Sequence, residues 1–167
     1  MIDRPTECPC WQFLQWRTSE LRRANSGNLP FDIPDAPNHP GLYRMIWHGV
    51  DDWKMLPKQM AVKASVKVQT PVLDYSSLTP PVVLTVGRTT RIRRRIRQHF
   101  GTNPNNNRAL MRLRQLLPDL ELARLLDMVL RNIRIDWVTV DQWVDRCLLE
   151  KSGVVNEMPI FDLDAEH

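Results

Sequence analysis

Val82-Val-Leu-Thr-Val-Gly87, followed by Arg88-Thr-Thr-Arg-Ile-Arg-Arg-Arg-Ile-Arg-Gln-His-Phe100, is the stretch on which the fold turns. Its first half is apolar and rich in β-branched residues, follows Pro80-Pro81 and ends on a glycine, which is the pattern of a buried strand closing in a turn. Beyond Gly87 the apolar period changes. Ile92, Ile96 and Phe100 recur every four residues as one stripe of a helix, with Thr89-Thr90 as its N-cap, and that stripe docks the helix on a sheet. Arg95 and His99 are four apart and share one flank of the helix together with Arg88, whereas Arg93, Arg94 and Arg97 point away.

Upstream, Gly41-Leu42-Tyr43 opens a strand over 42–48, which Pro30, Pro34, Pro37 and Pro40 prevent from beginning earlier. Before the prolines, Trp11, Leu14, Thr18 and Leu21 stand at helical spacing, so 11–23 reads as an amphipathic helix stopped at Asn25-Ser26-Gly27. An insertion, 49–79, separates the first two strands; in it Val62, Ala64, Val66 and Val68 alternate with Lys63, Ser65, Lys67 and Gln69 as a strand with a basic face. Downstream, a turn-rich loop over 101–107 leads to two Leu-rich helices, about 107–117 and 120–132, parted by Pro118-Asp119. Ile133, Ile135 and Trp137 then alternate with Arg134, Asp136 and Val138 as a third strand. Thr139 and Gln142 fit a capping box for a last helix with the core stripe Val140, Trp143, Val144, Cys147 and Leu148. Glu150 borders that stripe in the helix's last turn, where an acid opposes the helix dipole unless a metal or Arg95 compensates it. The expected architecture is α/β of the α+β kind: a small three-stranded sheet, mixed or antiparallel, flanked by helices. Residues 1–40 form an N-terminal helix and Pro-rich arm, and 41–167 the main domain of a single unit.

The chain has 167 residues, 43% of them hydrophobic, enough for one core without disulfides. Its net charge of +4 is unevenly spread. From Tyr75 to Pro118 there is no acid, while Arg88, Arg91, Arg93, Arg94, Arg95, Arg97, Arg108, Arg112 and Arg114 all fall there, so a polyanion is the expected partner. Three cysteines, an N-terminus without the pattern of a signal peptide and the absence of a long apolar span point to the cytoplasm, with no membrane association. Cys8-Pro9-Cys10 lacks a second pair at zinc-finger spacing.

In chain order, Gly41-Leu42-Tyr43, Thr85-Val86-Gly87, Arg95, His99, Glu150 and Asp162 resemble the GIY-YIG nuclease superfamily over about residues 41 to 162. The restriction-enzyme branch is the most similar, since there a histidine follows the arginine by four, an Asn follows the glutamate by twelve, and an insertion separates the first two motifs. The resemblance implies an endonuclease that cleaves double-stranded DNA with one divalent metal, Mg²⁺ or Mn²⁺. It further implies restriction-type partners: a second copy of the chain and a cognate methyltransferase. Tyr43, Arg95, His99 and Glu150 would be catalytic, with Glu150 the metal ligand. Two positions depart from the pattern: Thr85 replaces the second tyrosine, and Asp162 replaces the Asn.

The residue types suit the chemistry on their own terms. Hydrolysis of a phosphodiester needs a base for the attacking water, cations around the developing phosphorane and help for the leaving oxygen. Tyr43 would take the proton, Arg95 would present a fork of hydrogen bonds to the phosphate, and Glu150 would hold Mg²⁺. Taken singly, Tyr43 also reads as a half-buried core tyrosine, Arg95 as a solvated arginine and His99 as a histidine packed near Phe100. The rival on the same fold is a catalytically impaired DNA-binding module, favoured by Thr85 and Asp162.

Overall fold

The computed structural model describes residues 9–25, 29–56, 59–61, 72–74, 78–101, 109–157 and 159–161. In chain order the elements are α1 (Pro9–Gln12), β1 (Arg17–Glu20), β2 (Arg22–Arg23), β3 (Phe31–Asp32), β4 (Gly41–Trp47), α2 (Val50–Trp53), β5 (Gln59–Ala61), β6 (Val72–Asp74), β7 (Val82–Thr89), α3 (Ile92–His99), α4 (Ala109–Leu116), α5 (Leu122–Asn132), β8 (Ile133–Thr139) and α6 (Trp143–Glu157). The fold is mixed α/β around a four-stranded sheet in the order β1-β8-β4-β7, antiparallel at every pairing. β2–β3 and β5–β6 are separate two-stranded ribbons.

β4 lies inside the sheet with both faces covered, which is why its sequence is almost unbroken in apolar residues. On one face Tyr43, Met45 and Trp47 join Ile133, Ile135 and Trp137 of β8, and Ile92, Ile96 and Phe100 close over them as the period of four requires. α4 and α5 complete that core with Leu110, Leu113, Leu125 and Val129. On the other face Leu42 and Val86 pack against Trp11, with Leu149 and Val154 of α6 alongside. β7 is an edge strand. Its register with β4 slips between Met45 and Ile46, a bulge at Leu84, and there Ile160 and Phe161 donate their N–H groups to the carbonyls of Val83 and Leu84.

The three strands read from the sequence are β4, β7 and β8; the fourth, β1, corrects the expected N-terminal helix. Only α1 is helical there, and residues 17–20 pair with β8 instead. The reason is tertiary. β8 offers Thr18 a carboxylate, Asp136 Oδ1, at 2.6 Å, and the Trp137 indole N–H donates to Ser19 Oγ at 3.0 Å. Those bonds and a full strand ladder outweigh a helical spacing that fits 11–21 equally well.

α6 differs in start and in face. It begins at Trp143 rather than at Thr139, and its buried residues are Arg146 and Gly153. Trp143, Val144 and Leu148, expected in the core, are exposed. Gly153 sets this orientation: a Cβ there would lie 2.4 Å from the Trp11 ring, so the indole packs directly on the helix backbone and turns that side of α6 inward. α3 is likewise capped otherwise than expected. Arg91 is its N-cap with no side-chain bond, and the first amides, Ile92 and Arg93, donate to the carbonyls of His39 and Pro37 at 3.0 Å each. The Pro-rich arm therefore seats the helix. The expected strand at 62–68 lies outside the described residues. Among the described residues no helix is long and apolar enough to cross a membrane.

Candidate active site

Tyr43 stands opposite Gly87 on β7 and Trp137 on β8, with its side chain on the α3 face. Gly87 is there for space. A Cβ at that position would sit 2.4 Å from Tyr43 Oη and 2.5 Å from Cζ, so only a glycine lets the phenol lie across β7. Gly41 answers a similar demand, since its Cβ would come 2.1 Å from the Val138 carbonyl and 2.7 Å from Ile92 Cδ1, where β8 and α3 close in.

The phenol so placed meets the flank of α3. Tyr43 Oη and His99 Nε2 are 2.7 Å apart, the rings meeting edge-on with centroids 5.4 Å apart. Arg95 Nε donates to the same oxygen at 3.4 Å. Tyr43 and His99 are buried and Arg95 is half-buried, so the phenol oxygen is held between a basic ring nitrogen and a guanidinium out of bulk water. Three of the four expected catalytic side chains thus meet at one atom. Thr85 is buried on the same face, opposite Met45, two residues from Gly87.

Glu150 comes from α6, the helix on the opposite face, and reaches the outer edge of β7. Its Oε1 accepts the Arg88 backbone N–H at 3.0 Å and its Oε2 is ion-paired with the Arg88 guanidinium. Arg88 in turn lies over the Trp143 ring, 4.8 Å from its centroid. The Gly87-Arg88 peptide links the two groups: by bond lengths, Tyr43 Oη and Glu150 Oε1 are at most about 10 Å apart. Glu150 is held by Arg88 at the edge of β7, whereas Tyr43, His99 and Arg95 meet on the α3 face. It also sits in the middle of α6, so the helix dipole is not what it answers, and its compensating cation is Arg88 rather than Arg95.

The basic helix is less free than its composition suggests. Arg93 binds Asp32 through Nη2 at 2.6 Å and Nε at 3.2 Å, and Arg97 Nε lies 3.6 Å from the same carboxylate. The Arg93 hydrogen bond holds the Asp32 carboxyl below its ordinary value, against the opposing effect of burial. Of the arginines expected to meet phosphate, Arg88, Arg93 and Arg97 are therefore in internal ion pairs, and Arg112 lies against Phe161. Arg91, Arg94 and Arg114 are exposed. A cavity of about 520 Å³ opens between the outer face of α3 and the arm, lined by Arg91, Arg93, Arg94 and Arg97 with the amides of Asn38 and Gln98. Arg108 and Asp162 lie outside the described residues.

Two polar clusters have no counterpart in the sequence reading. On the α6 face Arg44 donates to Asp136 Oδ2 at 2.9 Å, pairs with Glu157 and lies over Trp16, while Trp11 Nε1 donates to Glu157 at 3.0 Å. This ties β1, β4, β8 and α6 together. Arg146 is buried and donates to the carbonyls of Val140 and Asp141, pinning the loop before α6.

Among the described residues no three His, Cys, Asp or Glu side chains cluster as a metal cage. Mg²⁺ needs only one or two carboxylates, with water and phosphate oxygens for the rest. Both Glu150 carboxylate oxygens are engaged by Arg88, so a metal ion held there would have to displace the guanidinium from Oε2. No family model, curated protein or solved structure matches this chain.

Proposed function

We propose that the protein is a metal-dependent DNA endonuclease of the GIY-YIG type, closest in kind to restriction enzymes. The observation that carries this is the Tyr43 oxygen, bonded to His99 and Arg95 above a glycine that leaves room for nothing larger. A phenol in the core needs one partner; this one meets an imidazole, which would accept its proton, and a guanidinium, which would bind phosphate.

In the proposed reaction Tyr43 passes its proton to His99 Nε2 and takes the proton of the attacking water. Arg95 turns its remaining N–H groups toward the phosphate and stabilises the charge that develops on it. Glu150 would hold Mg²⁺ or Mn²⁺, which would neutralise phosphate oxygens and the leaving alkoxide. Arg88 releases Glu150 and stays over Trp143, where the indole face suits a guanidinium. Arg91 and Arg94, beside the cavity on α3, supply salt-sensitive affinity for the backbone of double-stranded DNA. The setting is the cytoplasm, and a methyltransferase protecting the host sequence is the partner such an enzyme requires.

A second reading, a catalytically impaired DNA-binding module, is favoured by the Arg88–Glu150 ion pair, which fills the metal ligand's oxygens from within. One experiment separates the two. Plasmid and long unmodified DNA are incubated with the protein and with Glu150→Gln in Mg²⁺, Mn²⁺ or EDTA, and binding is followed in parallel. The nuclease reading predicts metal-dependent cutting by the parent alone, with binding retained by both. Binding without cutting by the parent assigns the module.

A further inference from the structure

α6 presents an apolar stripe to solvent. Trp143, Val144, Leu148 and Val155 are 56%, 63%, 63% and 55% exposed, whereas the inward side of the same helix holds Arg146, Glu150 and Gly153. Val144, Leu148, Lys151 and Val155 follow one another at steps of four, three and four, the spacing of a helix–helix seam. Together the four apolar side chains expose roughly 400 Å², the size at which a surface patch marks an interaction site.

We infer that this stripe is a self-association surface on which α6 packs antiparallel against α6 of a second copy of the chain. The charges on the helix choose this occupant. Lys151 interrupts the apolar stripe, and in a helix pair its stem can lie along the apolar surface while its ammonium reaches a polar group on the flank of the seam. In the antiparallel register that sets Val144 opposite Val155, Leu148 falls opposite Lys151 of the second copy. The lysine stem then passes Leu148 and brings its ammonium to Asp145, which is exposed on the flank of the stripe three residues before Leu148. The twofold axis repeats the pair, so one helix carries both halves of a self-complementary pattern. A parallel arrangement would set the two lysines against each other.

The apolar area supplied by two stripes, roughly 800 Å², lies below the usual size of a stable interface even with a polar rim added. The pair should therefore dissociate on dilution. Its existence does not depend on the proposed cleavage.

Sedimentation equilibrium of the full chain tests it. The expected result is a monomer–dimer equilibrium that Leu148→Glu abolishes, with the melting curve unchanged because the side chain is exposed. Asp145→Lys and Lys151→Asp should each weaken the dimer about tenfold or more by placing like charges together. Mixing those two variants, or combining both substitutions in one chain, should restore it. A parent that stays monomeric at every concentration, a dimer indifferent to Leu148→Glu, or charge variants that fail to complement each other would overturn the inference. A monomer that still cuts DNA would do so while leaving the nuclease reading standing.

Discussion

Gly87→Ala isolates the contact on which the site is built. The backbone at Gly87 is one that alanine can adopt, so the cost of the new methyl comes from what it meets: Tyr43 Oη at 2.4 Å, Cζ at 2.5 Å and Cε1 at 2.9 Å. Displacing a packed ring costs about 1–3 kcal/mol, and loosening the Tyr43–His99 hydrogen bond about 0.5–1.5 kcal/mol more. Against this, alanine reduces the entropy of the unfolded chain and returns about 0.4–1 kcal/mol. The net expectation is a loss of about 0.5–4 kcal/mol in the parent. In a Tyr43→Leu background the atoms that the methyl would strike are gone, and the same substitution should be neutral or slightly stabilising. The coupling between the two positions is then about 1.5 kcal/mol or more, the size found for residues in direct contact. Urea unfolding of the four proteins, followed by tryptophan fluorescence, measures it from midpoints at constant slope. Equal destabilisation by Gly87→Ala in both backgrounds would show that the ring does not rest on this glycine, and the account of the site would lose its foundation.

Two ion pairs, Arg93–Asp32 and Arg44–Asp136, can be tested by unfolding. Because Arg93 holds the Asp32 carboxyl below its ordinary value of 3.8, the stabilisation it brings is complete above that pH and is lost as pH falls through the lower folded value. Asp32→Asn should therefore flatten the acid limb of a stability–pH curve, and an unchanged limb would count against the pair. Arg44→Ala leaves the buried Asp136 carboxylate without this cation, although Thr18 still donates to it, and should cost about 3–5 kcal/mol by thermal or urea unfolding; a loss below about 1 kcal/mol, typical of exposed pairs, would show that Arg44 is not a structural tie.

What the sequence disclosed follows from how local each signal is. The strand and helix over 82–100 were legible because the apolar period changes from a continuous run to one of four residues, but the strand does not close at Gly87: it runs on to Thr89, and the bend comes at Thr90. β8 was legible from its alternation, and β4 from an apolar run that begins where the prolines end. Arg95 and His99 were legible as neighbours from a spacing of four, and Tyr43 as their companion from the order of the motif. β1 was not. Trp11, Leu14, Thr18 and Leu21 suit a helix as well as any pattern, and what decides against it, Asp136 and Trp137 on the open side of β8, lies more than a hundred residues away. The face of α6 was hidden for a similar reason. An apolar stripe announces burial, yet Gly153 and the indole of Trp11 turn the other side inward, and a glycine adds nothing to hydropathy. The arginines show the limit of counting charge: the absence of acids between Tyr75 and Pro118 says nothing of Asp32 and Glu150, which come from outside that segment to engage Arg93, Arg97 and Arg88.

The most direct test of the nuclease account compares the parent with Tyr43→Phe on long unmodified DNA in Mg²⁺, with melting curves recorded on the same preparations. The substitution removes one oxygen and leaves the ring in the core, so it should lower stability by no more than about 1–3 kcal/mol, the cost of leaving the buried His99 nitrogen without its partner. The account predicts cutting by the parent, none by Tyr43→Phe, and a cooperative unfolding transition in both. Cutting by Tyr43→Phe at the parental rate, or a well-folded parent that cuts no DNA with any divalent metal, would contradict it.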